Sequence, residues 1–345
     1  MNTTKFILPF CMVVLFPFLM FAQEQNSKFE TLIFSDSSLS IVTNRTNDDF
    51  SDDCILLKNS IDHDNPLKIY EFNYSADSIY CNRIRVLTDY KTLLETDNDW
   101  LIFVHGDGQT LLDAAISALK TQNLHHVKVL LFSWPSKMRE GNGAKNFKNS
   151  KNNVALGTYK FRELLVMLQQ FKKQYDWPKN GRHLSLFFHS LGNLYLERAV
   201  KDSLLAGLDN DLFDNLIINA AAVNEYEHAK WVDKLNIQKN IYIISNKWDF
   251  NLNGARVFTS SGKQLGERLK LPLSAKANYI NFSNAVGLLL PTSASHTYFF
   301  GKIPNKSENI KEFYTALFHG KTLNLSDTTL YTLRKDGLGY DILFE

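Results

Sequence analysis

The sequence predicts an α/β fold: a mainly parallel central sheet with helices on both faces and an antiparallel β extension on the N-terminal side. Three observations carry this. From Trp100 onward, short continuous apolar runs alternate with stretches of helical spacing, the pattern of strands buried on both faces and joined by helices. Residues 29–96 instead hold short alternating segments between Asp, Asn and Ser clusters, which read as antiparallel strands with polar turns. Finally, the apolar run 184–188 passes into the helical stretch 194–201 through a tight junction that contains a serine.

The chain has 345 residues, and one large α/β domain is favoured over two. Residues 1–22 read as a signal peptide. Lys5 is the only charge before the apolar run 6–22, and Ala22 precedes the polar Gln23-Glu24. An uncleaved anchor is the weaker reading, because Pro9 and Pro17 interrupt a run already short for spanning. Cys11 has no lipobox around it. Export to a periplasmic or extracellular space is therefore expected, with no stable membrane span after cleavage. Two cysteines then remain, Cys54 and Cys81, which form one disulfide or stay as two thiols.

Residues 23–97 form the β-rich segment, with strands expected at 31–34, 40–43, 54–58, 67–74 and 83–88. Some of these suit the first strands of the main sheet, others a small extension. The core is expected at 98–320. The apolar strand 100–104 runs into His105-Gly106-Asp107-Gly108, and 110–119 has helical spacing. The strand 127–132 ends in Ser133-Trp134-Pro135-Ser136. The locally basic stretch 137–151 reads as a flexible loop, either simply solvated or a rim attracting an anionic substrate or a membrane surface. Further strands are expected at 240–245 and 277–282 and a helix at 308–318; the tail 321–345 is left unassigned.

Ser190, in His189-Ser190-Leu191-Gly192-Asn193, sits where a sharp strand-to-helix turn pushes Oγ above the sheet edge. The plainer alternative is a serine N-cap. Phe188 departs from G-x-S-x-G by placing a large residue where a small one is usual. A strand ending in His-Gly presents an amide near Asp107 as one oxyanion donor, and Leu191 supplies a second. The Asp107 carboxylate is awkward there, since its charge would oppose a developing oxyanion. It either turns away or recognises a cationic substrate group, and the residues alone do not choose.

Phe103-Val104-His105-Gly106, Phe132-Ser133-Trp134-Pro135-Ser136 and His189-Ser190-Leu191-Gly192-Asn193 occur in this order. With them the chain resembles the α/β-hydrolase superfamily. More narrowly, it is similar to a family of uncharacterised bacterial α/β hydrolases carrying F-V-H-G, F-S-W-P-S and H-S-M-G-N. The resemblance covers roughly residues 98–302. It implies an α/β-hydrolase fold and a triad in the order serine, acid, histidine. Asp249 follows the strand 240–245, where such a fold places the acid. Asp214 and Asp233 are its competitors. After Asp249 only His296 and His319 remain; His296, in His296-Thr297-Tyr298-Phe299, lies on the loop beyond the last strand and is the expected base. His105 and His189 read as packing and turn-stabilising residues, and His125 and His126 as surface residues.

The expectation is thus an exported serine hydrolase cleaving an ester, or a thioester or amide, of a small-molecule or lipid-like acyl substrate. The alternative is a non-catalytic exported binding or surface protein on the same scaffold. Lys and Arg number 38 against 36 Asp and Glu, which gives no nucleic-acid footprint. No Cys/His spacing suggests a metal and no Gly-rich phosphate loop is present, so no cofactor is expected. Oligomeric state is not legible.

Overall fold

The chain, described by a computed structural model over residues 34–48, 56–74, 83–87, 90–138, 143–259, 262–287 and 295–344, is built on one large sheet. The signal-peptide segment, Cys54 and Cys81 lie outside the described residues. The first elements are β1 (Ser38–Thr43), β2 (Arg45–Asp48), β3 (Leu56–Ile61), β4 (Lys68–Asn73), β5 (Arg83–Val86) and α1 (Lys91–Leu94). Next come β6 (Trp100–Val104), α2 (Leu111–His125), β7 (Lys128–Ser133), α3 (Gly143–Tyr175), β8 (Leu184–His189) and α4 (Asn193–Lys201). Then follow β9 (Phe213–Asn219), α5 (His228–Val232), β10 (Gln238–Ser245), α6 (Phe250–Thr259), β11 (Ala277–Asn281), α7 (Ser283–Val286), α8 (Glu308–Phe318), β12 (Tyr331–Leu333) and β13 (Tyr340–Ile342).

Among the described residues the sheet has eleven strands in the order β12-β13-β11-β10-β9-β8-β6-β7-β1-β4-β5. From β13 across to β1 all neighbours run parallel; β12 closes one edge antiparallel, and β4 with β5 closes the other. β1, β4 and β5 are thus part of the main sheet, and only β2 and β3 stand apart as a two-stranded pair.

The inner strands lack polar alternation because both faces are covered: every residue of β6 and β8 is buried. Successive side chains on a strand face opposite ways. Accordingly Phe187 packs on Phe318 of α8, ring centroids 5.1 Å apart, while Phe188 packs on Phe161 of α3 at 5.5 Å. Helices therefore cover both faces.

The basic stretch 137–151 differs from expectation, since α3 begins at Gly143 and continues for 33 residues. Phe147, Ser150, Val154, Thr158, Phe161 and Leu165 fall three or four residues apart and form its buried face. The lysines occupy the remaining surface, so a one-sided helix start looked like a loop. The tail also contributes structure, as β13 pairs with β11 and β12 folds back upon it. Among the described residues no helix is long and apolar enough to cross a membrane.

Candidate active site

The sheet order dictates where a ligand can enter. After β6 the chain places β7 on one side, then returns past β6 to place β8 on the other. Such a switch point, at the carboxyl ends of β6 and β8, is the usual binding position in an open α/β sheet. The segments emerging there are 105–109 and the turn at Ser190.

The 105–109 segment is held from beneath by the strand that follows it. The Trp134 amide donates to His105 Nε2 at 3.0 Å, and Trp134 Nε1 donates to the His105 carbonyl at 2.8 Å. The two rings stack with centroids 5.3 Å apart. His105 Nδ1 then carries the ring proton and meets the Gly106 carbonyl at 2.8 Å. Burial pushes the His105 pKa down to about 3, so the imidazole is neutral. Ser136 completes the cradle: its Oγ accepts from the Gln109 amide at 3.0 Å and its carbonyl accepts from Gly108 at 2.9 Å. The His-Gly and Ser-Trp-Pro-Ser segments are therefore two halves of one lock.

Arg45 braces the same region, which the sequence reading missed. It is buried, donates from Nε to Ser133 Oγ at 3.0 Å, and reaches the Trp134 carbonyl at 2.5 Å. Its acceptors are neutral groups, Asn59 among them, and burial lowers its pKa to about 9. Its partners Ser133 and Trp134 lie far along the chain, so no local pattern announces it.

Ser190 has φ +52°, the left-handed region that a non-glycine residue occupies at a cost of roughly 1–3 kcal/mol. Tight crossings on both sides hold it. A Cβ on Gly192 would lie 2.6 Å from the His105 carbonyl oxygen, and one on Gly106 would lie 2.8 Å from Ser190 Cβ. Glycine at both positions lets the 105–109 segment press directly against the serine turn. Asn193 secures the turn by donating from Nδ2 to the Ser190 carbonyl at 2.9 Å and the Asn219 carbonyl at 3.1 Å. Among the described residues the Asp107 amide donates to no other protein group.

Asp249 and His296 meet as a buried pair, His296 Nδ1 lying 2.6 Å from Asp249 Oδ2, with exposures of 6% and 0%. Asp249 Oδ1 meanwhile accepts from the Leu252 amide at 3.0 Å. The residue is thus a helix cap for α6 and a histidine partner at once, one oxygen for each. The histidine segment is tied to the acid segment by Asn246, which donates to the Ser295 carbonyl at 2.9 Å. The His296 ring packs on that of His189, centroids 4.5 Å apart, so it lies against the residue preceding Ser190.

His189 is itself orientated. Tyr314 donates to Asn219 Oδ1 at 2.7 Å, which leaves Asn219 Nδ2 to donate to His189 Nδ1 at 3.1 Å. His189 therefore keeps its proton on Nε2. Burial, with the neighbouring His296, drives its pKa well below the ordinary imidazole value. His105 and His189 are packing and turn residues, as their positions suggested. His125 is a correction: it lies on the inward side of the last turn of α2, buried, with Nε2 2.8 Å from the Phe299 carbonyl, while His126 alone is exposed.

The remaining candidates fall elsewhere. Asp214 is the second residue of β9, at the amino end of the strand, paired with Lys239 at 2.7 Å, and Asp233 accepts from Ser274 Oγ at 2.5 Å. His319 pairs with Asp99, just ahead of β6, at 2.5 Å. Asp107 turns its carboxylate to α3, where Asn146 Nδ2 donates to it at 2.9 Å; burial pushes its pKa up. Among the described residues no three His, Cys, Asp or Glu side chains converge as a metal site would require. Compared with known proteins, the chain matches no family model and no curated sequence.

Proposed function

We propose that this chain is an exported serine hydrolase of the α/β-hydrolase type, cleaving a carboxylic ester, thioester or amide through Ser190, His296 and Asp249. The observation that carries the reading is the buried 2.6 Å contact between His296 Nδ1 and Asp249 Oδ2. A carboxylate there keeps the imidazole proton on Nδ1 and leaves Nε2 as a base. The left-handed Ser190 at the topological switch point, against which the 105–109 segment presses, supports the same chemistry.

In this mechanism His296 Nε2 takes the Ser190 proton as Oγ attacks the substrate carbonyl carbon. The carbonyl π pair moves onto oxygen, and the Asp107 and Leu191 amides hold that oxyanion, each worth roughly 3 kcal/mol. Collapse of the tetrahedral adduct breaks the bond to the leaving group, which departs with the proton from Nε2. Water, deprotonated by the same nitrogen, then attacks the acyl-serine and releases the carboxylic acid. Asp249 stays ionised throughout and stabilises the imidazolium. The apolar run 6–22 following Lys5 supports export.

A fluorophosphonate probe tests the proposal. Labelling of the wild type that disappears in Ser190→Ala supports it. Folded wild type that takes no label refutes it and leaves a non-catalytic binding protein on this scaffold.

A further inference from the structure

Beyond the triad, the sheet has a second opening on the same edge. A cavity of about 360 Å³ lies where Ser245 ends β10 and Asn281 ends β11. Ligands in open α/β sheets bind outside carboxyl strand ends such as these, and the volume suits a small molecule.

Five cationic side chains line it: Lys247 from the turn after β10, Arg256 from α6, Lys263 and Arg268 from the segment after α6, and Arg334 from the end of β12. Glu267 and Asp336 are the lining carboxylates, and both are spent. Asp336 pairs with Arg334 at 2.5 Å and accepts from the Leu338 amide at 3.0 Å. Glu267 accepts from the Gln264 amide at 3.0 Å and stands 3.6 Å from Arg256 Nε. Arg268 is answered by Glu225 at 3.3 Å.

Two lysines are left over. Lys247 and Lys263 have no carboxylate within 4.0 Å among the described residues, and Lys247 rests over the Trp248 ring instead. Arg256 is engaged within the protein, its Nε 3.6 Å from Glu267 and its Nη2 donating to Asn253 Oδ1 at 3.0 Å. Two ammonium groups without a carboxylate partner, lining a cavity whose carboxylates are occupied, want an anion with several acceptor oxygens.

We infer that this cavity binds a compact anionic small molecule, a phosphate ester or a polycarboxylate, held by Lys247 and Lys263. Asn253, which also lines the cavity, donates to the Asp249 carbonyl at 2.8 Å, so the ligand would sit one residue behind the proposed acid. The inference does not depend on the hydrolase reading, because binding requires neither Ser190 nor turnover.

The test is isothermal titration calorimetry on the full mature chain at low ionic strength, with pyrophosphate and citrate as anionic probes and glucose as the neutral control. Wild type should bind at least one anion at 1:1 stoichiometry and not glucose. Lys247→Gln and Lys263→Gln should each weaken that binding by about tenfold, the loss of one charge-assisted contact. Lys173→Gln, on the exposed side of α3, should leave it unchanged. Preference for pyrophosphate assigns the phosphate source, and preference for citrate the carboxylate source. No heat from either anion up to about 10 mM overturns the inference. So does binding that survives both lysine substitutions, or that weakens equally in Lys173→Gln.

Discussion

Acidification from pH 7 to pH 5 should weaken the fold by an amount that can be assigned to individual histidines. His105 is buried, accepts from the Trp134 amide through Nε2, and has its pKa pushed down to about 3; His125 is likewise buried and pushed down to about 4. In the unfolded chain both return to about 6.5. A folded pKa below the unfolded one means stability fully present above pH 6.5 and lost as pH falls, because the unfolded chain binds the extra proton. At pH 5 the unfolded imidazole is almost wholly protonated and the folded one almost wholly neutral. The pH 7 to pH 5 difference is then about 2 kcal/mol for each residue, or about 4 kcal/mol for the pair. That is a large fraction of a typical stability of about 5–15 kcal/mol. Asp107 and Glu267, whose pKa values burial raises, act in the opposite sense, so the clean measurement is a difference between proteins. Urea unfolding followed by circular dichroism at both pH values should show His105→Gln losing about 2 kcal/mol less than wild type on acidification. Gln retains an acceptor for the Trp134 amide but has no titrating ring. An equal loss in the two proteins would refute the assignment of a neutral His105 to this lock.

Three other outcomes are expected. Asp249→Asn should lower kcat by as much as ~10⁴-fold while its melting temperature stays close to wild type. The amide can still cap Leu252 but favours the wrong histidine tautomer, and combining it with His296→Ala should add little further loss. Gly192→Ala should destabilise by roughly 1–3 kcal/mol in urea titrations, because the new methyl meets two backbone carbonyl oxygens, His105 at 2.6 Å and Val104 at 2.7 Å. Mass spectrometry of the exported protein should find a chain starting near Gln23, and the alkylation count will show whether Cys54 and Cys81 are bridged; an intact N-terminus would remove the export proposal.

What was legible follows from burial. β6, β7, β8 and β10 are covered on both faces, so they appear as unbroken apolar runs, and the residues that cluster at the switch point follow directly at their carboxyl ends. The start of α3 was hidden because the 143–153 stretch turns only Phe147 and Ser150 fully inward and leaves its lysines outside. β12 and β13 are three residues each, Tyr-Thr-Leu and Tyr-Asp-Ile, too short and too polar to show a period. The inward turn of His125 depends on α8, distant in sequence, which places Thr315 Oγ1 2.7 Å from its Nδ1. Arg45 and Asn246 were overlooked for the same reason: their partners are fixed only by the assembled sheet.

The choice between an enzyme and a binding scaffold turned, at the level of sequence, on Phe188 and Asp107. A small residue two places before the serine is useful where strand and helix must cross closely. Here that approach is made by Gly106 and Gly192, and Phe188 points to the other side, against Phe161 of α3. Its bulk therefore fills the core and costs the turn nothing. Asp107 has its carboxylate drawn off to α3, where Asn146 donates to it, and burial raises its pKa. A carboxylate committed to α3 is also poorly available to a cationic substrate group. Both departures thus lose their force against catalysis. Burying the His296–Asp249 pair at 2.6 Å costs desolvation that apolar residues avoid. Retaining that cost is understandable if the histidine must take up and release a proton beside Ser190.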